Sequence, residues 1–190
     1  REGLADMEAL KACVDDDTHV VAAMAVNNEI GTRHDLDAIA AVAHGSEASL
    51  LVDAVQAFGR IDLTQCPADM LAISAHKIHG PKGIGALWLR RGIEIETFQY
   101  GGGQEAGLRS GTLSPALCAG FGAAAALAVE RLEEDADHVE ALWARARDLF
   151  SDWTLNGSET ERWRGNLNIR KDGLDVGRLM SEVRQVMFSA

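Results

Sequence analysis

Four short apolar runs, each ending at a polar residue or a turn, constrain the fold of this 190-residue chain more than any other feature. They are residues 18–26 (THVVAAMAV), 49–52 (SLLV, running into Asp53), 69–74 (DMLAIS) and 85–89 (GALWL). The first is continuous rather than alternating, the pattern of a strand buried on both faces. Between the first two runs, Asp35 is placed to cap a helix over 36–44 that Gly45 closes. Ahead of them, apolar residues from Leu4 to Val14 keep roughly helical spacing. Strand, helix, strand with short links predicts an α/β fold, a mostly parallel sheet with flanking helices.

Ser114-Pro115 reads as the start of a long helix, with Ser as the cap and Pro at the first helical position. Ala-rich sequence continues to about Phe150, and charges crowd 130–140, where the helix is expected to bend or leave the first domain. Gly120 and Gly122 inside it predict close packing against another backbone. A strand over 165–170, a helix over 174–182 and a last strand over 184–189 look like the start of a small α+β domain. The division is therefore expected as 1–131, a partial large domain, and 132–190, a partial small one. A chain that opens at Arg1 and stops directly after an apolar stretch is expected to be a central piece of a longer protein.

The charge narrows the partners. With 18 basic and 29 acidic residues the formal charge is −11, which repels nucleic acid and anionic membrane. The longest stretch without charged or strongly polar side chains, residues 116–129, falls short of the ~20 residues needed to span a bilayer. No basic-then-apolar leader is visible, and Cys13, Cys66 and Cys118 are too few and scattered for a disulfide framework. Together these predict a soluble cytoplasmic protein. His19, His34, His44 and His138 lack the spacing of metal ligands and read as surface or capping residues.

The chemistry concentrates at strand ends. Ala72-Ile-Ser74-Ala-His76-Lys77-Ile-His79-Gly80-Pro-Lys82-Gly83-Ile-Gly85 carries a buried run into a His-Lys pair and a glycine-rich turn. Only four lysines stand against fourteen arginines, and two of the four lie here. A lysine at the end of a buried strand is costly unless it is neutralised, paired or used covalently. Asp53 and Gln56 follow the second run, and Asn27 and Asn28 follow the first. Taken singly, each has a plainer reading as a surface, capping or turn residue. The loop Gly101–Thr112 is either a flexible connection or a backbone that approaches a ligand or partner closely. No nucleotide-binding loop is present.

Asn28, Asp53, Gln56, Ser74 and Lys77 fall, in that order, at one edge of one predicted sheet. That set is what pyridoxal phosphate requires: an amine for the aldehyde, a carboxylate for the pyridine nitrogen, amides for the phenolic oxygen and hydroxyls for the phosphate. The motifs VNNEIG, VDAVQ, SAHKIHGPKGIGALW, GGGQE and RSGT, in order and evenly spaced, closely resemble cysteine desulfurases of the NifS/IscS branch. These lie within the class V aminotransferase family of fold-type I pyridoxal enzymes. Similarity continues more weakly through the long helix and Asn166-Leu-Asn-Ile, and the chain corresponds to about the middle half of such an enzyme.

The resemblance implies roles. Lys77 looks like the Schiff-base lysine and proton shuttle, Asp53 the pyridinium partner, and Gln56 the donor to the phenolic oxygen. Asn28 matches the amide near that oxygen and the substrate carboxylate, while Ser74 and His76 match phosphate ligands. Thr112 matches a threonine that reaches the phosphate of a partner subunit's cofactor, which implies a homodimer. The implied reaction converts cysteine to alanine and passes its sulfur, as an enzyme persulfide, to iron–sulfur assembly or another acceptor protein. In the family the sulfur-accepting cysteine lies in a loop just beyond the counterpart of Ala190, and Cys13, Cys66 and Cys118 do not fit its place. The substrate-carboxylate arginine and the ring-stacking histidine of the family also have no counterpart here. Ala75 and His79 depart mildly from the usual Gly and Tyr. Two alternatives stand beside this reading: another class V enzyme, such as an aminotransferase or selenocysteine lyase, and a catalytically silent truncated domain.

Overall fold

The computed structural model describes residues 2–189. Each of the four apolar runs forms a strand: β1 (Val20–Met24), β2 (Ser49–Asp53), β3 (Met70–Ser74) and β4 (Gly85–Leu89). They lie side by side in that order, β1, β2 and β3 parallel and β4 antiparallel to β3. The result is the expected mixed, mostly parallel sheet. A short Gly-rich turn joins β3 to β4, which is long enough only for a hairpin-like return and so makes β4 antiparallel.

Two helices cover one face of the sheet. Asp6 caps α1 (Met7–Cys13) by accepting from the N–H groups of Glu8 and Ala9, and Asp35 caps α2 (Leu36–Gly45) through Ala38. Ile39, Ala40 and Ala43 of α2 pack on Val21, Leu50 and Val52, all buried, to form the core. The opposite face is different. Val20 and Leu87 are each 48% exposed and Ala22 is exposed, so β1 is buried on one face only, not on both as its unbroken apolar run predicts. The difference arises because α1 and α2 lie on one side, and no described element packs on the other. Total accessible surface is 12768 Å² for 20.4 kDa, against roughly 8,800 Å² for a compact monomer of that mass.

One buried carboxylate ties the strands together. Asp69, just ahead of β3, accepts the main-chain N–H of Leu50 at 2.8 Å and pairs with His44 at 2.8 Å and Arg90 at 3.2 Å. Burial works against its charge, but the Leu50 N–H, His44 and Arg90 together hold its carboxyl below the ordinary carboxylate range.

The long helical segment divides into α3 (Pro115–Glu130) and α4 (Leu132–Leu149), bent by 68° at Arg131. Of the two helix glycines, Gly120 lies against Pro81, where an added Cβ would come within 3.1 Å, whereas Gly122 faces open space. Only the first therefore serves close packing. No single helix among the described residues is long and apolar enough to cross a membrane.

The last third is less regular than its sequence suggests. The strand expected over 165–170 shrinks to β6 (Ile169–Arg170), paired antiparallel with β5 (Thr154–Leu155), and α5 (Val176–Glu182) is capped by Asp175. The expected strand over 184–189 does not form among the described residues, and Val186 and Met187 are exposed. A strand requires a neighbour to satisfy its ladder, and none lies beside it.

Candidate functional site

The parallel register brings three strand ends to one edge. Met24, the last residue of β1, pairs with Asp53, the last of β2, and Asp53 pairs with Ala72 of β3. Ser74, two residues beyond Ala72, therefore points to the same face as Asp53. That is the open face. Open α/β sheets collect ligands at this carboxyl edge.

Each candidate is held differently. One oxygen of Asp53, Oδ1, accepts from the N–H of Val55 at 2.9 Å, which fixes the carboxylate while Oδ2 has no partner among the described residues. Beyond Ser74 the chain enters a 3₁₀ turn, Ala75–Ile78, which carries His76 and Lys77. The Ser74 hydroxyl and His76 Nδ1 share a hydrogen bond of 2.8 Å, and the Gly80 N–H closes the turn onto the Ala75 carbonyl. His79 at its end takes a left-handed conformation, φ 65°. α3 backs the turn. Gly59, at φ +71°, permits this approach, since an added Cβ would lie 2.8 Å from Ala128 and 2.9 Å from Ile78.

Lys77 also lines an open cavity of about 670 Å³ between the Gly59–Arg60 turn and the bend from α3 to α4. Arg60, His79, Arg131 and Trp163 share its wall, while Asn28, Asp53, Gln56, Ser74, His76 and Thr112 do not. Gln56 is joined to Lys77 through Arg60. The Arg60 guanidinium donates to the side-chain Oε1 of Gln56, to the Gln56 carbonyl at 3.3 Å and to the Lys77 carbonyl at 3.0 Å.

Asn28 sits in a loop stapled from the far end of the sequence. Four successive carbonyls are each captured: Asn28 by the Asn166 amide at 3.1 Å, Glu29 by the Asn168 amide at 3.0 Å, Ile30 by Arg162 at 3.0 Å, and Gly31 by the Trp163 N–H at 2.9 Å. Arg162 is itself buried over the face of Trp143, 4.3 Å from the ring centroid, and also holds the carbonyls of Ser158 and Asn166. Burial, with the charges of Arg147 and Arg164, lowers its pKa from the ordinary guanidinium value.

Thr112 is not gathered with the others. It is exposed in a loop whose two motifs hold each other: Gln104 accepts the Gly111 N–H at 3.2 Å, and the Ser110 hydroxyl bonds the Gly102 carbonyl at 2.6 Å. Phe98 and Tyr100 nearby are 84% and 83% exposed. The thiols stand apart from the edge as well: Cys13 and Cys118 are exposed on α1 and α3, and Cys66 lines a separate cavity beside α2.

Arg60, Arg162, Trp163, Asn166 and Asn168 escaped the sequence reading. The contacts of Arg162, Asn166 and Asn168 with the loop after β1 reach across as many as 139 residues, which no local spacing encodes, while Arg60 bonds groups 4 and 17 residues away. The short Asn-Leu-Asn repeat at 166–168 is the one signal that could have pointed to paired amides.

Residues 1–180 match the family described as aminotransferase class V. The "Cysteine desulfurase IscS" of Rickettsia bellii is 38% identical over 99% of this chain, which spans 48% of that relative. The "Cysteine desulfurase, mitochondrial" of Saccharomyces cerevisiae is 40% identical over the whole chain, which spans 39% of it. Among solved structures, a NifS-like protein superposes with a TM-score of 0.89 at 32% identity, covering 97% of this chain and 52% of its own. DndA from Streptomyces lividans follows at 0.86 and 31%, covering 97% of this chain and 54% of its own. The chain thus spans half or less of the curated relatives it matches.

Proposed function

The chain belongs to the aminotransferase class V family, and we propose from that premise that it supplies the lysine-bearing part of a pyridoxal-phosphate-dependent cysteine desulfurase. The named desulfurase relatives support this branch and give no support to an aminotransferase or selenocysteine lyase. A large domain over 1–131 and a small one over 132–190 belong to the same proposal, supported by the bend at Arg131.

The residues present fit the cofactor by their donor chemistry. Asp53 keeps Oδ2 available to accept a hydrogen bond from a protonated ring nitrogen, because Val55 occupies only Oδ1. The Gln56 oxygen faces a guanidinium, so its NH2 is left to donate to a phenolic oxygen. The Ser74–His76 pair is set to receive a phosphate. When bound, pyridoxal phosphate supplies an electron sink for the pair released at the substrate Cα.

The chain's own residues do the rest. With the cofactor bound, the Lys77 amine would be the residue that holds its aldehyde end and would take and return the proton at the substrate Cα. Asp53 holds the ring nitrogen protonated. Asn28 and Gln56 orient the ring edge, and Asn28 also meets the substrate carboxylate. Thr112, on its exposed loop, reaches the phosphate in a partner subunit and so makes the working unit a homodimer. Cysteine is the substrate, alanine the product, and the sulfur passes as a persulfide on an enzyme cysteine to iron–sulfur assembly or another acceptor. The low, scattered cysteine content fits a cytoplasmic setting.

The observation that carries this reading is the shared face of Asp53 and Ser74 at the sheet edge that β3 leaves to reach Lys77. The test is absorbance of the full polypeptide with pyridoxal phosphate, followed by alanine formation from cysteine. A visible band and turnover that both disappear in Lys77→Ala, with turnover lost in Asp53→Asn, support the reading. Turnover that survives Lys77→Ala contradicts it.

A further inference from the structure

We infer that Arg60 is a positioning residue for the cofactor edge, fixing both the backbone of Lys77 and the direction of the Gln56 amide. The inference rests on the reading of Lys77 as the cofactor lysine. A guanidinium carries five N–H donors and no acceptor. Whichever group of the Gln56 side chain touches it must therefore be the oxygen, and that contact exists. The amide NH2 is left pointing away from Arg60, available to donate. Without the guanidinium nothing in the contact distinguishes the two ends of the amide.

The other prong acts on the lysine. Arg60 Nη2 donates to the Lys77 carbonyl at 3.0 Å, in the middle of the 3₁₀ turn, where a carbonyl would otherwise face the cavity. A turn of four residues has few internal hydrogen bonds, so one charge-assisted bond to its centre sets where the lysine leaves the backbone.

Arg60 is in turn fixed from below. Its Cζ lies 4.4 Å from the centroid of the Trp163 ring, and the main-chain N–H of Trp163 donates to the Gly31 carbonyl at 2.9 Å. Trp163 thus ties together the loop bearing Asn28 and the guanidinium bearing on Gln56 and Lys77. Burial lowers the Arg60 pKa from its ordinary value, in keeping with a guanidinium withdrawn from water onto these carbonyls.

The test compares Arg60→Met, Arg60→Lys, Trp163→Leu and the double variant Arg60→Met/Trp163→Leu in the full polypeptide. Hydrogen exchange is followed on the unloaded protein, and release of pyridoxal phosphate on the loaded one. In Arg60→Met, exchange over 75–80 is expected to rise about tenfold while α2 keeps its wild-type rate, and the cofactor is expected to leave about tenfold faster. Arg60→Lys recovers part of both effects, because an ammonium can hold one carbonyl but cannot fork to the amide. The double variant is expected to be no worse than Arg60→Met alone, as for two residues acting through one contact. Wild-type exchange over 75–80 in Arg60→Met, or an equal rise in α2, overturns the inference. If the wild-type protein binds no pyridoxal phosphate, the functional reading fails instead, and the exchange measurement still decides whether Arg60 holds Lys77.

Discussion

The side-chain amide of Asn166 donates to the main-chain carbonyl of Asn28 at 3.1 Å across a sequence separation of 138 residues. With Asn168 on Glu29, Arg162 on Ile30 and Trp163 on Gly31, it makes the loop after β1 an extension of a distant segment. A loop with all four carbonyls taken has little freedom left, and Asn28 inherits that rigidity.

Asn166→Ala removes one of these bonds. Stability is expected to fall by about 1 kcal/mol, the usual net value of a hydrogen bond. Hydrogen exchange over 27–32 should quicken while exchange over β2 stays as it was, and peptide-level mass spectrometry reads both.

Asp69 predicts a pH dependence. Its carboxyl is held below its ordinary value of 3.8, so the folded state binds the proton less readily than the unfolded one. The contribution is complete above 3.8 and is lost as the pH falls through the lower folded value. Asp69→Asn should therefore cost about 1–3 kcal/mol at pH 7, by leaving His44 and Arg90 unpaired against a neutral group. The loss should shrink as the pH drops below 3.8. Urea midpoints across pH 7 to 2.5 measure it.

How much of this was readable beforehand follows from the range of the interactions. Asp35 capping α2, Pro115 opening α3 and the four strands are local signals, written within a few residues of where they act. Asp53 and Ser74 share a face because parallel strands of similar length end together, so that much was legible once the strands were, whereas Lys77 lies beyond β3 in the 3₁₀ turn and lines a cavity that Asp53 and Ser74 do not. Two expectations depended on neighbours a run of sequence cannot name: the buried second face of β1, and a strand over 184–189. The same limit hid Arg60. Its three bonds go to groups 4 and 17 residues away, and nothing in Gly-Arg-Ile marks it.

Gly59→Ala tests the docking of α3 behind the lysine turn. A methyl group would meet Ala128 at 2.8 Å from a backbone at φ +71°, so both strain and overlap oppose it. A loss of about 1–3 kcal/mol in urea unfolding is expected, together with faster exchange over 75–80. Gly122→Ala, in open space on the same helix, should instead gain up to about 1 kcal/mol.

The most direct test of the central claim uses the small number of amines in the chain. Lys11, Lys77, Lys82 and Lys171 are its only lysines. Pyridoxal phosphate is added to the protein, the adduct is reduced with borohydride, and the phosphopyridoxyl mass is mapped to peptides. Lys77 is expected to take most of the label at limiting cofactor, and Asp53→Asn to lower its share. Label spread evenly over the four lysines, or gathered on Lys82 with Lys77 bare, would contradict the claim.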